Sequence, residues 1–255
     1  MTRGLRGSLS GSRYSSLASS SVTFQNLVPL LEEHHRVISI DILGFGRSPV
    51  PTEAEYTLEE HVAALRATIR ELRLRRPYVL VGHSLGSLIV ARYTAEHPER
   101  ISRLILVAPP VYDAPESIGD HAVRIRVGAY LKAYEFMRRN KEFTLANAAV
   151  IARLLPIKGV FEITEQNWVP FTKSLERCIE RQTVTGDVAR VRVPVDLVYG
   201  RFDAFIAPGA LATIEAMRHV ESHVVRANDH LIRPRMARVV AAAVEASTAT
   251  ADAGG

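Results

Sequence analysis

From residue 36 onward, short runs rich in β-branched residues alternate with longer segments of helical periodicity. "RVISIDIL" (36–43), "PYVLVGH" (77–83), "ISRLILVAPP" (101–110), "VPVDLVYG" (193–200) and "HVESHVVRA" (219–227) read as strands. Between the first two, "TLEEHVAALRATIRELRLRR" (57–76) sets Leu58, Val62, Leu65, Ile69 and Leu72 on one helical stripe, and Thr57 with Glu60 forms a capping box at its start. "LGSLIVARYTAEHPE" (85–99), "GALATIEAM" (209–217) and "LIRPRMARVVAAAVEA" (231–246) are the other helical segments. Strict alternation of strand and helix implies right-handed crossovers, hence an α/β fold: a mostly parallel sheet with helices on both faces.

One segment, 112–190, breaks the rhythm. It has no convincing strand, holds the only tryptophan (Trp168), and reads as several helices. A helical insertion between two halves of a parallel sheet is expected to be a cap; the plainer alternative is an excursion that covers the sheet edge. Phe161, Trp168 and Phe171 within it suit either an apolar pocket lining or the core of the cap itself. The 255 residues, 47% of them hydrophobic, fit one domain over 1–255, with poorly ordered ends expected at 1–16 and 247–255.

Composition narrows the setting. Cys178 is the only cysteine, so no internal disulfide can form, and a cytoplasmic, reducing location is expected. Cys178 sits in "SLERCIERQ", which reads as helix, and packing is its expected role. The formal charge is +5, and arginine supplies 28 of the 32 basic residues. Those arginines are interleaved with acids and scattered over helices, which fits solvated faces; no nucleic-acid partner is expected. No apolar run reaches bilayer length, so no membrane association is expected. The N-terminal stretch is basic and Ser-rich but lacks the apolar core of a secretory signal; an organellar transit peptide is the minor alternative. Oligomeric state is not readable.

The chemistry gathers around "VGHSLGS" (81–87). Gly82-His83-Ser84-Leu85-Gly86 is a G-x-S-x-G string between a strand and a helix, and open parallel sheets form their sites at the carboxyl ends of strands. A serine hydroxyl needs a base, and the base needs an orienting acid. Of nine histidines, His230 follows the last strand and meets the final helix; Asp203, in "YGRFDAFIAP", follows the preceding strand. Asp229 neighbours His230 in sequence, but adjacent side chains in a loop diverge, and Asp187 precedes its strand rather than following it. No His, Asp, Glu or Cys set has metal-ligand spacing, and no phosphate-binding glycine loop follows the first strand, so no metal and no cofactor are expected.

In "DILGFGRSP" (41–49), "VGHSLGS", "VPVDLVYGRFDAFIAP" (193–208) and "NDHLI" (228–232), the chain resembles the cap-bearing serine hydrolases of the α/β-hydrolase-fold superfamily over about residues 22–246. The resemblance implies Ser84 as nucleophile, His230 as base, Asp203 as orienting acid, and the backbone N–H of Leu85 as one oxyanion donor. It breaks down at the N-terminus. Where the family has a His-Gly pair after an apolar strand, this chain has Ser15-Ser16, with Leu17 at the second oxyanion position. An atypical or truncated N-terminus, through a mis-called start, is expected. The implied function is hydrolysis of a small or medium apolar ester through an acyl-enzyme. The alternatives are carbon–carbon bond hydrolysis of dienoate-type ketones by the same three residues, or an impaired hydrolase-fold protein. Dehalogenases and epoxide hydrolases would need Asp in place of Ser84.

Overall fold

The computed structural model describes residues 13–18, 21–112, 118–147, 165–207 and 209–252. Six strands form one sheet: β1 (Arg13–Ala18), β2 (His35–Ile40), β3 (Tyr78–His83), β4 (Ile101–Val107), β5 (Val195–Gly200) and β6 (Val220–Val225). All neighbours are parallel, in the order β2-β1-β3-β4-β5-β6. Helices α1 (Val28–Leu31), α2 (Leu58–Glu71), α3 (Leu85–Glu96), α4 (His121–Arg139), α5 (Lys141–Ala146), α6 (Trp168–Ser174), α7 (Val184–Arg190), α8 (Ala212–Glu215) and α9 (Pro234–Asp252) complete it.

The two-residue period of the strands splits the core in two. Leu80, Leu104, Leu106 and Leu197 face α2 and α3 together with Val127, Tyr134, Leu175 and Val188 from the segment between β4 and β5. Val79, Val81, Ile105, Val107 and Val198 face Phe24, Leu31 and the Met236–Val240–Val244 stripe of α9. β3 is buried along its whole length and β4 from Leu104 to Val107, so Val79–Val81 and Leu104–Val107 are unbroken apolar runs rather than alternating ones. α3 lies over the middle of the sheet and is buried nearly all round, which explains its apolar sequence.

Several boundaries differ from expectation. β1 is "RYSSLA", a polar run in the stretch expected to lack a strand and to be poorly ordered as far as residue 16. It sits between β2 and β3, so ladder partners on both sides supply what intrinsic propensity does not. At the other end α9 runs on to Asp252, past the expected fraying point at 247, because its Ala- and Thr-containing tail continues the helix. α2 stops at Glu71 rather than near 76; Leu72 closes it and Arg73 takes φ +48°. Only one turn, Ala212–Glu215, forms within the helix expected over 209–217.

Helices α4 to α7 occupy the segment expected to form a cap, and no strand occurs there among the described residues. Asp120 caps α4 by accepting from the N–H groups of Ala122 and Val123. α6 and the π-helical turn after it (Leu175–Ile179) are fastened to the loop before α2. Lys173 donates to Ala54 O at 3.0 Å and to Glu55 at 2.8 Å, Arg177 pairs with Glu55, and Cys178 Sγ reaches Tyr56 O. His61 of α2 hydrogen bonds Ser174 of α6 at 3.0 Å in a buried contact. Gly44 permits the closest approach: a Cβ there would lie 2.5 Å from Tyr56 and 2.6 Å from Pro170. Phe171 packs on the core, so it belongs to the packing of this segment; Phe161 lies outside the described residues.

Candidate active site

Ser84 stands where β3 turns into α3, with φ 52° and ψ −126°. A side chain in that region costs on the order of 1–3 kcal/mol, so the surroundings must enforce it. They do so with hydrogen bonds and close packing. Ser84 N–H donates to Val107 O at 2.9 Å, Ser87 N–H donates to Ser84 O at 2.8 Å, and the Ser87 hydroxyl bonds Gly82 O and Val107 O. A Cβ on Gly82 would sit 2.4 Å from Val90 Cγ2 and 2.5 Å from Gly86 O. The two glycines of the motif are therefore where strand and helix nearly touch. Ser84 is held at the N-terminus of a twelve-residue helix whose first N–H groups lack intrahelical acceptors, which places the Leu85 N–H where negative charge can be stabilised.

The structure brings Asp203 and His230 together. His230 Nδ1 lies 2.8 Å from Asp203 Oδ2, with both side chains at most 1% exposed. A carboxylate accepts, so Nδ1 carries the proton and Nε2 is the free basic nitrogen. The other carboxylate oxygen, Asp203 Oδ1, accepts from Phe205 N–H at 2.8 Å. The loop bearing His230 is set by Gly200 at the end of β5: a Cβ there would meet the carbonyls of Asn228 and Asp229 at 2.4 and 2.5 Å. Phe202 N–H donates to Asn228 O, and the Asn228 amide closes the loop onto Leu231 O. The His230 ring lies between those of His83 and Phe205, with centroids at 4.9 and 4.7 Å. No hydrogen bond joins Ser84 to His230 among the described residues. Such contacts commonly tighten only with substrate bound.

The competing acids are accounted for. Asp229 accepts from Leu231 N–H and pairs with Arg233, which directs it away from the His230 ring. Asp187 is buried between Arg92 and Arg190. Leu17 lies inside β1, opposite Ser39 on one side and Val81 on the other, so its peptide belongs to the ladder; residues 19 and 20, beyond the strand end, lie outside the described residues. Burial pushes the Cys178 thiol up to about 12, consistent with a packing role.

Spacing in sequence misses three groups near or below the sheet's carboxyl end. His83, within the motif, hydrogen bonds the main chain of His230. Tyr112, after β4, bonds Phe205 O and the Tyr134 hydroxyl, which braces the loop of Asp203 from the side of α4. Asp196, Glu221 and His223 converge because β5 and β6 pair Asp196 with Glu221 across the ladder, and their ligand atoms lie within 4.8 Å of one another. Asp196 already holds Arg103 at 2.5 Å and His223 at 2.8 Å, so a cation in the cluster would face a guanidinium.

Comparison with known proteins identifies the family of the fold. A family model described as alpha/beta hydrolase fold matches residues 15–155, a span that contains Ser84 but neither Asp203 nor His230. The chain is 36% identical over 96 residues to the probable lysophospholipase BODYGUARD 1 of Arabidopsis thaliana, covering 37% of this chain and 20% of that protein. It is 37% identical over 92 residues to the pimeloyl-[acyl-carrier protein] methyl ester esterase of Aeromonas hydrophila, covering 35% and 33%. The matched stretches thus span between a fifth and a third of those relatives. Among solved structures, a loop variant of the haloalkane dehalogenase DbeA from Bradyrhizobium elkanii superposes with a TM-score of 0.73 at 21% identity, over 97% of this chain and 93% of that one. At that identity the likeness speaks to the fold alone.

Proposed function

The chain belongs to the α/β-hydrolase-fold family, and on that basis we propose that it is a serine hydrolase acting on a small or medium apolar ester through an acyl-enzyme. One observation carries the reading: a buried Asp203–His230 pair at the carboxyl ends of β5 and β6, with a serine held at φ 52° between β3 and α3 whose chain neighbour His83 contacts His230. Ser84 Oγ attacks the ester carbonyl while His230 Nε2 takes its proton. Asp203 stabilises the imidazolium and keeps Nδ1 protonated. Negative charge gathers on the former carbonyl oxygen, where the Leu85 N–H receives it; Leu17, expected as the second donor, lies within the β1 ladder between β2 and β3 and is not assigned that role. His230 returns the proton to the leaving alcohol, and water then releases the acyl group by the same route.

Relatives bearing the names lysophospholipase and methyl ester esterase support ester chemistry. We expect no cofactor and no metal in the reaction. No helix among the described residues is long and apolar enough to cross a membrane. The test is turnover of p-nitrophenyl esters of graded acyl length, set beside a dienoate-type ketone. Ester turnover that Ser84→Ala lowers by at least ~10³-fold supports the proposal. Turnover of the ketone alone moves the chemistry to carbon–carbon cleavage, and a folded chain inert to both overturns the catalytic reading.

A further inference from the structure

His83 precedes the nucleophile, is 0% exposed, and has no part in the steps above. Strand parity sets it in phase with Val79 and Val81, on the face of the sheet covered by α9, and the loop leading into α9 carries His230. Its Nε2 lies 2.8 Å from the carbonyl oxygen of His230, a contact between residues 147 positions apart, and the two ring centroids are 4.9 Å apart with the rings tilted at 56°. A carbonyl only accepts, so this contact requires the proton on Nε2. The other nitrogen, Nδ1, is buried with no hydrogen-bond partner.

We propose that His83 is a positioning residue: its Nε2–H holds the main chain of His230 to the strand that delivers Ser84, and thereby fixes the base relative to the nucleophile. This rests on the hydrolase reading of Ser84 and His230. Two features favour positioning over simple filling of space. An apolar side chain of the same size would leave His230 O buried without this donor, which is costly. The geometry also enforces neutrality, since a second proton would have to sit on Nδ1, where the described residues offer no acceptor. Burial, with a smaller contribution from the neighbouring His230, holds the His83 pKa down to about 3. The donor beside the base therefore adds no charge that would oppose protonation of His230 during the reaction. Around the pair, Asp203 faces His230 Nδ1, and the buried phenols of Tyr112 and Tyr134 bound the far side of the Asp203 loop.

The test compares two substitutions and one measurement on the unaltered protein. His83→Phe keeps a ring but loses the donor; His83→Gln keeps an N–H of similar reach but loses the ring. His83→Phe should lower kcat by about 10–100-fold with KM within about twofold, and shift the acidic limb of the kcat/KM profile, because the base is displaced rather than the pocket. His83→Gln should recover most of kcat. Nitrogen NMR of the wild-type imidazole should report the Nε2–H tautomer throughout pH 5–8, a readout that stands even where a variant fails to fold. An Nδ1–H tautomer, or a folded His83→Phe with unchanged kcat and pH profile, overturns the proposal while leaving the hydrolase reading intact. Absent wild-type ester turnover instead strikes the reading on which the proposal depends.

Discussion

Replacing Gly82 with alanine probes the contact on which the site geometry depends. The added methyl would lie 2.4 Å from Val90 Cγ2, 2.5 Å from Gly86 O and 2.7 Å from Gly86 C. Apolar atoms rest about 3.5–4.0 Å apart, so the overlap exceeds 1 Å. Val90 is β-branched within a helix, with one strongly preferred rotamer, and the other two atoms are backbone. The overlap can be relieved only by moving α3 off β3. Overpacking of this kind costs about 3 kcal/mol, which for a chain of this size lowers Tm by about 6–12 °C. The same shift carries the Leu85 N–H away from Ser84's reaction centre, and a displacement near 1 Å costs about 10²-fold in kcat. Thermal melts and ester turnover measure the two effects together. Gly128→Ala in α4 and Gly186→Ala in α7 are the controls: a methyl at either meets nothing within 4 Å, so each should gain about 0.5–1 kcal/mol with turnover unchanged. A Gly82→Ala protein with wild-type Tm and kcat would refute the close strand-helix approach as the origin of the elbow.

Three further outcomes follow from buried groups. His61 is pushed down to about 4 by burial, below the ordinary 6.5, so folding favours its neutral form; that stability is complete above about pH 6.5 and is lost as pH falls toward 4. Urea midpoints between pH 7 and 4.5 should therefore fall by an amount equal to about 2 kcal/mol from this residue, and a folded His61→Gln should flatten that part of the slope. Cys178 should react with a thiol reagent only on unfolding, since it is fully buried and its thiol is pushed up to about 12; stoichiometric labelling of the native protein would contradict its placement. Arg103→Met should destabilise by about 3–5 kcal/mol, because it removes the guanidinium from the buried carboxylate of Asp196 and leaves His223 to hydrogen bond it, with the Glu221 carboxylate nearby; an unchanged melting curve would show that the ion pair is not formed.

Much of this was legible in the residues. Apolar runs of strand length and the Leu58–Val62–Leu65–Ile69 stripe identify β3, β4 and α2 because burial dictates both pattern and position. Ser84, Asp203 and His230 stand out as candidates by their places after β3, β5 and β6, since in a parallel sheet all strand ends lie on one side. β1 was not legible. Its polar "RYSSLA" carries no strand signal of its own, and its strand character comes from pairing with β2 and β3. His83 escaped notice for a related reason: its partner is a main-chain carbonyl 147 residues away, and no side-chain motif encodes a carbonyl. The Asp196–Glu221–His223 cluster needs the register of β5 on β6, which sequence spacing does not contain.

The most direct test of the account is covalent labelling with a fluorophosphonate, read by intact mass and peptide mapping. Ser84 should carry one adduct in the wild-type protein and none in Ser84→Ala. His230→Ala and Asp203→Asn should label at least ~10²-fold more slowly while retaining the fold. A folded wild-type protein that stays unlabelled at Ser84, or labels as fast without His230, would contradict the assignment of Ser84, His230 and Asp203 as nucleophile, base and orienting acid.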